Sequence, residues 1–158
     1  MTAKLNSGCL SRKVGAVITD SEYNILSLGW NDAPCGAESC IRRNLFDLIR
    51  NYDRDAYSEY ECYNDEFREY LNKINSRITE DRKSNLNGLP FAFCFKDMYQ
   101  DILAQKDQIY TRALHGEERA IVACKSDKIK GGYLFTTSSP CELCAKKIKE
   151  AGIKKIIL

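Results

Sequence analysis

The chain has 158 residues, 44% of them hydrophobic, which is enough for one domain with a buried core. Its 24 basic and 22 acidic residues nearly cancel, leaving +2, which argues against a bulk electrostatic attraction to nucleic acid or to a membrane surface. Residues 1–13, "MTAKLNSGCLSRK", lack the apolar core of a secretory signal, and no apolar run is long enough to span a bilayer. Eight cysteines in a chain of this length point to reduced thiols and metal ligands in a cytoplasmic protein, not to a secreted disulfide scaffold.

The fragment before Cys9 reads as the end of a helix. Residues 14–19, "VGAVIT", and 24–30, "NILSLGW", read as two strands of a hairpin joined by the polar turn "DSEY". Residues 31–38 form a loop. Tyr60, Tyr63, Phe67, Leu71, Ile74 and Ile78 then step by three and four, which predicts one helix packing that stripe on a core. "KSNLNGLP", residues 83–90, breaks the pattern, and 96–105 predicts another short helix. A helix is expected from His115 to about Ser126, a strand over 133–137, a helix from Pro140 to Ala151 with Gly152 just past its C-terminus, and a last strand in "IKKIIL". A strand running to Leu158, with little helix before Cys9, leads to the expectation that the chain is truncated at both ends.

The chemistry concentrates at two helix starts. In "SSPCELCAKKI", residues 138–148, Pro140 suits the first helical turn, and Ser139 with Glu142 fits a capping box. Cys141 and Cys144 are three apart, so both thiols share one helix face. The helix N-terminus there favours thiolate over thiol. Alone, C-x-x-C could be a redox pair or half of a zinc ribbon. A ribbon needs a second C-x-x-C, which is missing, and a redox pair has no use for "LHGEERAI", residues 114–121, where the only histidine stands. One nitrogen and two sulfurs leave tetrahedral zinc one open position, as in catalytic sites. Glu117, two residues after His115, converges with it at the first turn of a helix and supplies a carboxylate to move protons. The order H-x-E followed by P-C-x-x-C is the signature of zinc nucleobase deaminases.

On these residues the chain resembles the cytidine deaminase superfamily, and most of all its deoxycytidylate deaminases. "CLSRKVGAVI", "GWNDAP" and "SPCELCAKKIKEAGIKKIIL" carry the resemblance, which covers residues 8–34 and 111–158. It implies an α/β fold of three layers, α/β/α, with a mixed central sheet, and a largely helical insertion over 35–110 within a single deaminase domain. It further implies that His115, Cys141 and Cys144 hold zinc and that Glu117 shuttles protons. Asn31 would contact the substrate sugar, against the plainer reading of a turn asparagine. Gly116, where alanine is usual, would offer its N–H to the base. Some members carry a second, structural zinc. Cys9 and Cys40 resemble two of its ligands, and Cys35, Cys62 and Cys94 could complete an all-cysteine site, the alternative being buried free thiols.

The function so implied is zinc-dependent hydrolysis of dCMP or dCTP to the deoxyuridine nucleotide and ammonia, by a homo-oligomer, in nucleotide metabolism or anti-phage defence. The anti-phage deaminases that carry a kinase-like domain are a candidate parent. Two alternatives stand beside it. A tRNA adenosine deaminase shares the motif but would want a basic face for RNA phosphates. A regulatory or assembly module with a vestigial site would not need Glu117. Arg12, Lys13, Arg42 and Arg43 are candidate phosphate contacts, each also readable as solvated surface.

Overall fold

The computed structural model describes residues 2–105 and 109–158; residues 106–108 of the predicted insertion lie outside the described residues. The chain divides into two compact units, one formed by residues up to Pro34 together with Arg112–Leu158, the other by Cys35–Thr111. Among the described residues no helix is long and apolar enough to cross a membrane.

The first unit is α/β. Strands β1 (Gly15–Thr19), β2 (Ile25–Trp30), β3 (Tyr133–Thr136) and β4 (Lys155–Ile157) form a mixed sheet in the order β2-β1-β3-β4. β1 is antiparallel to β2 and β3, and β3 is parallel to β4. Residues paired directly across a sheet share a face. The register Ala16–Gly29, Ala16–Thr136, Ile18–Ser27 and Ile18–Leu134 therefore defines one face. Ala16, Ile18 and Leu134 on that face are fully buried with Ala120 and Ile148 from the two helices that follow.

Those helices carry the site. The helix Gly116–Ala123 runs close across β2 because Gly29 has no side chain: a Cβ there would run into the Gly116 carbonyl and the Ala120 backbone. Ser27 Oγ donates to the Ala120 carbonyl at 2.7 Å on the same face. This helix ends three residues before the expected Ser126. The Ser126 side chain instead accepts from Lys128 N and starts a 3-10 turn, Asp127–Ile129, the local competition typical of serine. The second helix, Glu142–Glu150, starts two residues later than expected. Its N-cap is Cys141, so the predicted Ser139–Glu142 capping box does not form, and Glu142 pairs with Lys146 instead. Its C-terminus is as predicted. Gly152 takes φ +76, its N–H bonds to the Lys149 carbonyl, and Ile153 N–H bonds to the Ile148 carbonyl, a left-handed glycine cap.

The second unit is helical among its described residues: α1 (Leu45–Ile49), α2 (Glu59–Tyr63), α3 (Asp65–Asn75), α4 (Glu80–Ser84) and α5 (Phe95–Leu103). The helices of the first unit continue this numbering as α6 (Gly116–Ala123) and α7 (Glu142–Glu150). Leu45, Leu48, Phe67, Leu71, Ile78, Phe95 and Tyr99 form the core, each large side chain contributing about 1.5–3 kcal/mol of burial. The single predicted helix through Tyr60 and Ile78 is broken at Asn64. That side chain accepts from Phe67 N at 2.8 Å and caps α3, so the chain turns and Tyr63 is left 63% exposed. Tyr60, Ile74 and Ile78 still reach the core.

Candidate metal centre

His115 is the N-cap of α6 and Cys141 the N-cap of α7, with Cys144 one turn on. The ring Nδ1 of His115 lies 3.4 Å from Cys141 Sγ and 3.3 Å from Cys144 Sγ. A tetrahedral ion with ordinary Zn–N and Zn–S bonds spaces its nitrogen and sulfur ligands about 3.5 Å apart. The three atoms thus fit one small, sulfur-tolerant cation. Among the described residues this is the one group of three or more His, Cys, Asp or Glu side chains whose ligand atoms lie within 4.8 Å of one another.

Burial works against ionisation of the Cys144 thiol. Cys144 is 2% exposed and packs in the sheet core. That burial first, then the nearby Glu117 carboxylate and the Cys141 thiol, pushes its pKa up to about 12. The helix N-terminus, expected to favour thiolate, is outweighed there, so a bound cation is what would draw the proton off.

Glu117 sits in the first turn of α6, 3% exposed. Thr136 Oγ1, at the end of β3, lies 3.2 Å from Glu117 Oε1 and 3.1 Å from the Ser138 carbonyl. Thr136 was not among the expected site residues, although the period-2 alternation of β3 already puts it on the face of Leu134. Arg119 was also missed. Its Nη2 donates to the carbonyls of Asp32 (3.2 Å) and Ala33 (2.5 Å), and its guanidinium lies 5.6 Å from the Trp30 ring centre. It thereby ties the loop after β2 to the helix that carries Glu117. The backbone bridge between Asp32 and Leu114 fastens the same loop beside His115.

The other expected residues fall as follows. Asn31 is buried, and its amide is mostly committed within the protein. Oδ1 accepts from Val14 N (2.7 Å) and Ser7 Oγ (2.9 Å), and Nδ2 donates to the Arg12 carbonyl (2.6 Å). Gly116 is buried at the start of α6; an alanine Cβ would lie 3.1 Å from the Val14 carbonyl oxygen, so the missing methyl relieves a tight approach. Cys9 belongs to the sheet unit, and Cys35, Cys40, Cys62 and Cys94 to the helical unit. Within the helical unit no three of those thiols gather at ligand distance among the described residues. Burial pushes Cys62 up and Cys94 up to about 12. Arg43, a candidate phosphate contact, is instead buried against Glu61, and Arg42 pairs with Glu38. Arg12 and Lys13 are exposed.

The family model of the cytidine and deoxycytidylate deaminase zinc-binding region matches residues 1–158. The chain belongs to the cytidine and deoxycytidylate deaminase family. This deaminase is 29% identical over 153 residues to the deoxycytidylate deaminase of Enterobacteria phage T2, covering 96% of this chain and 70% of that protein. It shows the same identity over 153 residues to the deoxycytidylate deaminase of Enterobacteria phage T4, covering 96% of this chain and 68% of that protein. A crystal structure of dCMP deaminase from the cyanophage S-TIM5, in complex with dCMP and dUMP, shares the fold with a TM-score of 0.50 and 23% identity, over 97% of this chain and 69% of that chain. The expected α/β class and mixed sheet are those of the deaminase family.

Proposed function

We propose that the protein hydrolyses a deoxycytidine nucleotide, dCMP or dCTP, to the deoxyuridine nucleotide and ammonia. The observation that carries this reading is the buried Glu117, set beside a His115, Cys141 and Cys144 triad with zinc-ligand spacing. A zinc ion held by these three side chains would supply Lewis acidity to activate a water. Glu117 would carry one proton of the attacking water to the pyrimidine ring nitrogen and the second to the departing amino nitrogen. Water's oxygen replaces the amino group, ammonia leaves, and Glu117 returns to its starting state.

Gly116 and Asn31 orient the substrate in this reading. Gly116 offers backbone N–H to the base. The Asn31 Nδ2 group, with one bond spent on the Arg12 carbonyl, turns its other N–H to the sugar. Exposed Arg12 and Lys13, on the segment that Asn31 holds, suit the phosphate. The names of the phage T2 and T4 relatives support a deoxycytidine nucleotide as substrate. In this reading the reaction serves nucleotide metabolism, and depletion of these nucleotides would be its use in anti-phage defence.

Ammonia release from dCMP, dCTP, deoxycytidine, CMP and adenosine by zinc-loaded protein tests the proposal. Turnover of dCMP or dCTP is expected, with weaker turnover of deoxycytidine because it lacks the phosphate. Release from the free nucleoside at the rate of its phosphates would reassign the protein to nucleosides. No release from any cytosine substrate would sink the proposal.

A further inference from the structure

We infer that Thr136 is the positioning residue for the proton-carrying glutamate, its hydroxyl holding the Glu117 carboxyl group against the end of β3. The inference rests on the deamination proposed above.

Glu117 lies in a nearly closed setting, and among the described residues Thr136 is its hydrogen-bond partner. Thr136 is itself 2% exposed, so water does not compete freely for its hydroxyl. Neither distance from Oγ1, 3.2 Å to Glu117 Oε1 or 3.1 Å to the Ser138 carbonyl, is short for an O–H···O bond. A hydroxyl has one proton and can serve one acceptor at a time. Of the two acceptors within its reach, Glu117 Oε1 is the one that belongs to the site.

Thr136 donates to Oε1 and fixes the plane of the Glu117 carboxyl group, and no bond to a heavy atom forms or breaks at Thr136. The arrangement avoids the cost of a buried, unpaired hydroxyl. It also links the proton shuttle to β3, whose register against β1 is set by the Ala16–Thr136 pair.

The test is Thr136→Val, nearly isosteric but without a hydroxyl, beside Thr136→Ser, which keeps it. Zinc content, melting temperature, kcat and KM are measured for dCMP on the full chain. Loss of a hydrogen bond to a charged group predicts that Thr136→Val lowers kcat about ten- to a hundredfold. KM and zinc content are expected to stay near wild type. Thr136→Ser is expected to recover most of kcat. In a Glu117→Gln background, Thr136→Val should add nothing to the loss, because the two act as one unit. Wild-type kcat in Thr136→Val, or equal losses in the Val and Ser variants, would overturn the inference. If Thr136→Val fails to fold, Thr136→Ala with a folded melt carries the same readings. A wild-type protein silent on every deoxycytidine nucleotide would overturn the proposed function, and this inference with it.

Discussion

Each unit of the protein buries a glutamate, and the two are treated in opposite ways. In the helical unit, Glu61 is 1% exposed and surrounded by donors. Arg43 Nη2 pairs with Oε2, Ser58 N donates to Oε2 at 2.7 Å, and Tyr60 Oη donates to Oε1 at 3.2 Å. The Arg43 guanidinium is in turn 5.0 Å from the Tyr57 ring centre and 4.9 Å from that of Phe95. In the sheet unit, Glu117 is 3% exposed and, among the described residues, is met by one hydroxyl, that of Thr136, beside three atoms that could hold a metal. A buried carboxylate whose charge is fully answered holds structure together. One met by a single hydroxyl beside a possible metal site suits chemistry and not scaffolding. Burial alone does not distinguish them; the partner set does.

The sharpest way to break that comparison is to neutralise both glutamates. Glu117→Gln is expected to keep zinc and melt at or above wild-type temperature, since a buried charge is removed, while deamination falls by about 10²–10⁴-fold or more. Ammonia release and elemental analysis check this together, and retained turnover would hand the proton shuttle to another group. Glu61→Gln is expected to do the reverse. It strands the Arg43 cation in the core at a cost of about 3–5 kcal/mol, read as a lowered midpoint of denaturant unfolding. Replacing both partners, Arg43→Met with Glu61→Leu, should recover most of that loss. An unchanged midpoint in Glu61→Gln would mean the pair is not what holds this core.

The thiols extend the comparison with smaller effects. Because burial holds the Cys144 thiol up at about 12, the metal-free protein keeps its proton at neutral pH. Zinc must displace it, so zinc binding should release protons, and zinc affinity should weaken as pH falls anywhere below about 12. A pH-indicator titration of chelator-stripped protein measures this, and proton-neutral binding would contradict it. Zinc should approach one ion per chain; a count near two would bring Cys9 and Cys40 back as ligands of a structural ion. The smallest effect is at Cys94, pushed up to about 12 by burial in the helical unit, with no metal cluster around it among the described residues. It should resist alkylation at pH 8 with or without chelator, whereas exposed Cys35 reacts. Rapid modification of Cys94 in folded protein would show that its pocket opens.

The order of the sequence alone pointed to the cluster of His115, Cys141 and Cys144 that could hold a metal, to the place of Glu117 at the start of α6, to the hairpin and to the glycine cap of α7. Apart from the approach of His115 to the two cysteines, which the motif order signalled, these are local features: three-residue spacing at a helix end and alternation along a strand are set by backbone geometry within a few residues, whatever surrounds them. Only the tertiary structure decided the rest. It turned Asn31 toward Ser7 and Val14, buried Arg43 against Glu61, interrupted the tyrosine-rich stripe at Asn64, and brought Thr136 to Glu117. Arg43 and Arg42 are adjacent arginines with nothing local to tell them apart, yet one is core and the other surface. Thr136 and Thr137 are equally alike, and the register of β3 against β1 aims one at Glu117 and the other at the Gly15 backbone. Such choices depend on contacts between residues far apart in the chain, where strand register and packing select the partner and composition does not.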